Sequence, residues 1–158
     1  MAHAATGVSV VTTDGEAGRF AVTVSAISSV SAEPPLMLAC INRRSPVAAA
    51  IERNGLLAIN VLAESQQAIA NVFAGRSPGA NYDFTCAQWR RSVTGSPLLC
   101  DAAAAFDCEL DAIHEAGTHR IVIGRVVEAR CGGALPLVYA RRGYRTIAEF
   151  EKQEGVAR

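Results

Sequence analysis

The fold is first indicated by the stretch GVSVVTTDG at residues 7–15. Its first seven residues are rich in β-branched side chains, which favour strands, and Asp14-Gly15 is a dipeptide typical of hairpin turns. Residues 20–26 then alternate between apolar and small polar side chains, as a half-buried strand does. An antiparallel pair of strands is therefore predicted at the start of the chain.

Further short strands follow along the chain. The β-type runs are residues 36–41, 57–62, 105–113, 120–129, 137–139 and 144–147. Two segments have helical signals, residues 45–55 and residues 65–75, and residues 76–95 predict a long loop that contains one helical turn. Many short strands with brief connections favour an antiparallel barrel decorated by helices over a doubly wound parallel sheet. We predict one α+β domain, mainly β, over residues 1–158.

The composition of the chain argues against several classes of function. The 158 residues include 15 basic and 15 acidic side chains, and half of the chain is apolar. This mixture excludes a disordered chain, and zero net charge weighs against a nucleic-acid binder. No apolar run reaches membrane-spanning length and no secretory signal is present, so we expect a soluble, cytoplasmic protein without membrane contact. Five cysteines without a C-x-x-C pair predict reduced thiols and no metal site.

The segment Asn42-Arg43-Arg44-Ser45 is the first candidate site. It lies between a predicted buried strand and a helix for which Ser45 is the N-cap, Pro46 the first residue and Gly55 the stop. Free backbone N–H groups at a helix start, a hydroxyl group and two guanidinium groups together form an anion site. The alternative is an ordinary helix cap beside two solvated arginines.

Two further segments carry candidate residues. Five Ser or Thr residues lie within residues 23–31, where main-chain groups and short side chains could bind the edge of a flat ring. His119 lies in a predicted loop between two strands, where its imidazole could donate to a carbonyl or a phosphate. The alternatives are an exposed strand with small polar side chains and a solvated histidine. No Rossmann, P-loop, serine-hydrolase or zinc-protease motif is present.

Taken in order, several motifs resemble the short-chain flavin reductase family. They are Ala5–Thr13, Thr23–Ala26, Ser28–Ser31, Pro34–Leu38, Cys40–Ser45, Ile59–Leu62, Phe73–Arg76, Gly95–Leu98, Phe106–Cys108, Thr118-His119 with Ile123-Gly124, Pro136–Tyr139 and Tyr144-Arg145. The resemblance covers nearly all of residues 5–147. It implies an antiparallel split β-barrel of the Greek-key type with a few peripheral helices.

The resemblance also implies an activity and a set of site residues. Family members bind FMN or FAD, usually as homodimers, and reduce it with NADH or NADPH. Many supply the reduced flavin to a monooxygenase that hydroxylates aromatic compounds. By position, the flavin ring would meet Thr23, Val24, Ser25 and Ala26, with Phe73 beside it. The ribityl phosphate would meet Ser29, Asn42, Arg43, Arg44 and Ser45, and the nicotinamide nucleotide would meet His119, Tyr144 and Arg145.

Two departures and two alternatives accompany this hypothesis. Family members commonly carry a helix before the Ala-Thr-Gly motif, whereas only a few residues precede Thr6 here, and Thr118 stands where many members have Asp. Hydride transfer between two cofactors needs no protein nucleophile, which explains the absence of a catalytic triad. The alternatives are a flavin-binding module without turnover and a flavin-dependent reductase of a corrin or another metal cofactor.

Overall fold

The computed structural model describes residues 3–79 and 82–148. The remaining residues of the predicted 1–158 domain lie outside the described part. The strands are β1 (Thr6–Gly7), β2 (Ser9–Thr13), β3 (Phe20–Val24), β4 (Ile27–Ala32), β5 (Pro35–Asn42), β6 (Leu56–Val61), β7 (Trp89–Arg91), β8 (Pro97–Leu99), β9 (Ala104–Ala116), β10 (His119–Cys131), β11 (Val138–Ala140) and β12 (Gly143–Arg145). The helices are α1 (Pro46–Asn54) and α2 (Gln67–Phe73), and Phe84–Cys86 forms a short 3-10 helix. No helix in this part of the chain is long and apolar enough to cross a membrane.

The main sheet has seven antiparallel strands in the order β3-β2-β6-β9-β10-β5-β4. Its two edge strands, β3 and β4, are consecutive in the sequence and are joined only by Ser25 and Ala26. This short connection brings the edges together, and the Ala26 carbonyl accepts the Cys40 amide of β5 at 2.9 Å. The sheet therefore curls into a barrel with a seam beside β3, and the predicted split β-barrel is confirmed.

Helix α1 fills one side of this barrel. Ser45 is its N-cap, Pro46 opens it, and Gly55 closes it at φ 72° with an N–H bond to the Ile51 carbonyl, as the sequence predicted. A core that we call the α1-side core packs around this helix. It consists of Val11, Val24, Ala39, Ile41, Val47, Ala48, Ile51, Leu57, Ile59, Cys108 and Val122. Gly124 is required on β10 because a Cβ there would lie 2.7 Å from the Cβ of Cys108.

A second core lies outside the main sheet against α2. This α2-side core consists of Val8, Val10, Ala21, Leu62, Ala70, Val72, Phe73, Leu99, Ala102 and Leu137. Phe73 meets Phe84 and Trp89 edge-on, with ring centroids 5.2 and 5.7 Å away. The small sheet β1-β11-β12 and the hairpin β7-β8 complete this side of the molecule. The α2-side core thus joins segments from both ends of the chain.

The structure differs from the sequence prediction between residues 76 and 99. The short 3-10 helix agrees with the helical turn predicted in this loop, whereas β7, which pairs with β8, was not predicted. The turn between these strands is fixed by Asp107, which is fully buried and accepts the Thr94 amide at 2.8 Å and its hydroxyl at 2.6 Å. Because this carboxylate is distant in the sequence, the local pattern does not show the hairpin.

Two other segments also differ. Residues 27–32 form the separate edge strand β4, since the chain turns at Ser25 instead of continuing the preceding strand to residue 26. His119 is not in a loop but is the first residue of β10, paired with Asn42 of β5. Only Gly117 and Thr118 separate β9 from β10. These differences come from strand pairing, which joins residues far apart in the sequence.

Candidate functional site

The segment from Asn42 to Ser45 forms a tight corner between β5 and α1. The Asn42 side-chain oxygen accepts the Arg44 amide at 2.9 Å, and the Asn42 carbonyl accepts the Ser45 amide at 2.9 Å. The Ser45 hydroxyl accepts the Val47 amide at 3.4 Å, and no acidic residue lies in the first turn of α1. The start of a helix carries partial positive charge from its unpaired amides. This corner is therefore suited to an anion.

The two arginines of the corner have different surroundings. The Arg43 guanidinium lies 3.2 Å from the Glu115 carboxylate and donates to the Gly117 carbonyl at 3.2 Å. Glu115 is also bound by Arg120 at 2.7 Å. Arg44 forms no ion pair with any residue in 3–79 or 82–148. Arg44 is therefore the guanidinium that is free for a ligand.

Two cavities border this corner and share Asn42 and Arg44. The first has a volume of about 480 Å³ and is lined by the apolar side chains of Phe20, Val22, Val47, Tyr82 and Phe84 together with the corner residues Asn42, Arg44 and Ser45. The second has a volume of about 620 Å³ and reaches Arg43, Gly117 and Thr118. Both volumes lie within the range of roughly 300–1,000 Å³ that is usual for small-molecule sites.

His119 lies beside the same corner because β10 pairs it with Asn42. The imidazole is exposed, and its Nδ1 lies 2.9 Å from the Thr118 hydroxyl. When Thr118 donates to Nδ1, the proton of the neutral ring resides on Nε2, which is then a hydrogen-bond donor. Thr118 thus orients the ring from the position that precedes it.

The hydroxyl-rich segment lies along the barrel seam. The Thr23 hydroxyl donates to the Ala70 carbonyl of α2 at 2.8 Å, so this side chain is already engaged. Val24 is buried in the α1-side core, whereas Ser25, Ala26 and Ser29 are exposed. Because β3 is an edge strand, its outer backbone groups have no strand partner. Main-chain contacts at this edge remain possible for a ligand.

Tyr144 lies at a third, smaller cavity of about 120 Å³, which Thr23, Val24 and Ser25 also line. Its hydroxyl donates to the Asn71 side-chain oxygen at 2.9 Å, and its ring meets Tyr139 edge-on at 5.5 Å. Burial raises the pKa of Tyr144, while the positive charge of Arg76 acts in the opposite direction. This tyrosine is therefore held in its neutral form as a fixed wall of the cavity.

The structure corrects two expectations about the site. Phe73 is fully buried and packs on Phe84 and Trp89, so its side chain offers no surface to a flavin ring. The predicted group of His119, Tyr144 and Arg145 is divided between two places within the chain. His119 lies beside the corner, whereas Tyr144 lies against α2, and the exposed Arg145 donates to the Tyr144 carbonyl at 2.7 Å.

Sequence reasoning missed Tyr82, which borders a cavity, and Asn71, which binds the cavity residue Tyr144. Tyr82 lines the 480 Å³ cavity, and its backbone amide donates to the Val72 carbonyl at 3.2 Å. Asn71 lies on α2 and accepts the Tyr144 hydroxyl. Neither residue belongs to a local motif, since each reaches its position through contacts between distant segments. An aromatic residue in a long loop is the one signal that could have drawn attention to Tyr82.

The split barrel combines a corner suited to an anion with a neighbouring cavity that has mostly apolar walls, an arrangement typical of small-ligand sites. Within the described residues, no group of three or more His, Cys, Asp or Glu side chains is arranged to hold a metal ion. The family model for the flavin reductase like domain matches residues 1–148. The chain therefore belongs to the flavin reductase-like family of oxidoreductase enzymes.

Relatives of known name and structure agree with this assignment. The FMN reductase (NADH) RutF of Variovorax paradoxus is 43% identical over 149 residues, which span 94% of this chain and 82% of that protein. A candidate flavin reductase from Haemophilus somnus superposes with a TM-score of 0.86 at 38% identity, over 93% of this chain and 94% of its own. BorF, the flavin reductase component of a bacterial two-component tryptophan halogenase, has a TM-score of 0.84 at 32% identity and 94% coverage of both chains.

Proposed function

We propose that this protein is an NADH:FMN oxidoreductase. The observation that carries this proposal is the corner at residues 42–45, where an unpaired guanidinium and a helix start border an apolar cavity of about 480 Å³. Family membership and the name FMN reductase (NADH) of the relatives support it. A bound flavin supplies the hydride-accepting ring, so the protein needs to bind and orient the two nucleotides.

The donor groups of the corner fit the phosphate of FMN. The Arg44 guanidinium has no ion-pair partner among the described residues and could pair with the phosphate. Asn42 and Ser45 arrange the backbone at the start of α1. Arg43 should contribute less than Arg44, since the Glu115 carboxylate engages its side chain and offsets its charge. A guanidinium is the preferred partner of a phosphate because its N–H groups match the phosphate oxygens.

The seam beside the corner is the proposed site of the flavin ring. The apolar side chains along β3 provide a surface for the ring. The main chain from Thr23 to Ala26 provides polar groups for its heteroatoms, and the exposed hydroxyl of Ser29 on β4 is proposed for the ribityl phosphate. A mostly apolar cavity with a few polar groups is the usual composition of a cofactor site.

His119 is the residue that we propose for the nicotinamide nucleotide. It lies beside Asn42 and can donate through Nε2 to a carbonyl or a phosphate. Tyr144 lines a separate cavity with Ser25, and neither Tyr144 nor Arg145 is proposed to contact this nucleotide. His119→Ala should raise the KM for NADH and leave kcat nearly unchanged. An unchanged KM would remove His119 from this role.

Aerobic NADH consumption with added FMN tests the proposed activity. We expect oxidation of NADH that depends on both the protein and FMN, and that is slower with NADPH and with FAD. A saturable change in FMN fluorescence without NADH oxidation would instead identify a flavin-binding module without turnover. Faster oxidation with a corrin present would identify the reductase of a metal cofactor.

The biological setting is also part of the proposal. The reduced flavin would pass to a separate oxygenase that acts on an aromatic compound, a role that BorF, as a component of a two-component halogenase, supports by analogy.

Val30 on β4 and Val127 on β10 are 47% and 43% exposed, and we propose that a second copy covers them in a homodimer. Five free cysteines and the use of NADH fit a reducing compartment such as the cytoplasm. Light scattering of the purified protein tests the dimer.

A further inference from the structure

A cavity outside the proposed flavin site is lined by three arginines and the single tryptophan of the chain. This Trp89 cavity has a volume of about 260 Å³, and its lining includes Asp14, Arg19, Trp89, Arg90, Arg91 and Gly95. Arg19 also lines the 480 Å³ cavity. The Trp89 cavity is therefore a neighbour of the proposed flavin site.

The charges of the Trp89 cavity are not balanced. Asp14 is its one carboxylate, and it pairs with Arg19 at 2.8 Å. Arg90 and Arg91 form no ion pair within the part of the chain that the structure describes. Two guanidinium groups that border one cavity without a carboxylate partner leave that cavity with an excess of positive charge, which an anion would offset. The cavity therefore has the electrostatic properties of an anion site.

The backbone that carries the arginines of the cavity is held in place before any ligand arrives. Arg90 and Arg91 lie on β7, whose hairpin with β8 is anchored through Thr94 to the buried carboxylate of Asp107. Gly95, at φ 106°, leaves room for Arg91, whose guanidinium would lie 3.4 Å from a Cβ at that position. Fixed groups lose less conformational entropy on binding than mobile ones.

Trp89 distinguishes this cavity from a simple phosphate site. Its indole N–H donates to the Phe84 carbonyl at 2.9 Å, and Phe73 contacts the ring edge-on, so the half-buried indole is fixed. Nucleic bases stack on such aromatic surfaces, and guanidinium groups bind their phosphates. We propose that the Trp89 cavity binds the phosphorylated adenosine part of a nucleotide. The assignment to NADH or FAD as its source rests on the proposed function.

The test is a titration of the full chain with ADP, followed by Trp89 fluorescence. Because the chain has one tryptophan, the signal comes from this cavity alone. We expect saturable quenching by ADP, competition by inorganic phosphate and much weaker binding of adenosine. Arg90→Gln and Arg91→Gln should each weaken ADP binding about tenfold, the effect of one charge-assisted hydrogen bond. Arg125→Gln, which removes an exposed arginine on β10, is the matched control and should leave ADP binding unchanged.

The kinetic constants of the same variants assign the source of the nucleotide. An increased KM for NADH with FMN as acceptor assigns the cavity to NADH, and an increased KM for FAD alone assigns it to FAD. Equal ADP affinity of the wild type and both variants, or equal affinity for ADP and adenosine, would overturn the proposal. Arg91 is exposed, so Arg91→Gln should retain the fold. This variant therefore still tests the proposal if Arg90→Gln fails to fold. The ADP titration needs no turnover, so its failure is distinct from a failure of NADH oxidation.

Discussion

The α1 side and the α2 side of the barrel each hold part of the candidate site, and they are built differently. On the α1 side, four consecutive residues form the corner, and the bonds that shape it join near neighbours in the sequence. On the α2 side, Thr23, Asn71 and Tyr144 come from three distant segments. The comparison teaches that the proposed phosphate-binding corner can form as a local motif, whereas the opposite wall exists only after the barrel and its helices have packed.

The largest expected effect tests whether Phe73 supports the fold or touches flavin. Phe73→Ala should destabilise the protein by about 3–5 kcal/mol, because the side chain is fully buried in the α2-side core. Ile69→Ala, a half-buried position on the same helix, should cost less. Phe73→Leu, which retains most of the apolar volume, should leave FMN affinity unchanged. Denaturant unfolding measures the stability of the variants, and FMN titration measures their affinity for FMN. A large loss of FMN affinity in Phe73→Leu would show that Phe73 contacts the flavin.

The second prediction concerns the α1-side core. Burial, with a smaller contribution from Asp107, raises the pKa of the Cys108 thiol from 9.0 to about 12. The folded state therefore retains the proton where the unfolded state has lost it. The resulting stability is complete below pH 9 and is lost as the pH rises toward 12, at roughly 1.4 kcal/mol per pH unit.

Denaturant unfolding between about pH 8 and about pH 11 measures this loss. Cys108→Ala should show a shallower decline than the wild type, and Cys131→Ala, which removes an exposed thiol, should retain the wild-type slope. Equal slopes for all three proteins would contradict the buried, protonated state of Cys108.

The third prediction compares the two neighbouring arginines of the corner. Arg44→Ala should weaken FMN binding by about 10–100-fold, since it removes a charge-assisted hydrogen bond of about 1.5–3 kcal/mol. Arg43→Ala should have a smaller effect because Glu115 and the Gly117 carbonyl engage its side chain. Fluorescence titration with FMN measures both constants. A larger loss of FMN affinity in Arg43→Ala than in Arg44→Ala would show that the ligand displaces Glu115. Arg43 would then be the main partner of the phosphate.

The smallest expected effect is on the α2 side. The hydrogen bond from Tyr144 to Asn71 should contribute about 0.5–1.5 kcal/mol to the free energy of unfolding. Tyr144→Phe, Asn71→Ala and the double variant form a cycle that isolates this interaction. Tyr144→Phe should be the more costly single change, because Arg76 still interacts with the half-buried tyrosine hydroxyl after Asn71→Ala. Additive effects of the two single changes would exclude the coupling.

The corner and the barrel class could be predicted from the sequence. The Ser45 cap, Pro46 and Gly55 define α1 by local rules, and the alternating strands define the antiparallel sheet. The aromatic residue Phe73 was misjudged because helical spacing shows which face of α2 is apolar but not whether a ligand or a core covers it. The hairpin that carries Trp89 was missed because Asp107, its anchor, is distant in the sequence.

The sequence alone determined the elements whose hydrogen bonds join near neighbours: the first hairpin, the caps of α1 and the anion-binding corner. Only the tertiary structure decided which arginine of the corner is free, which tyrosine meets Asn71 and where the tryptophan and its two arginines form a cavity. The physical reason is that local backbone geometry follows from adjacent residues. Burial and ion pairing, in contrast, depend on the packing of segments that the sequence keeps apart.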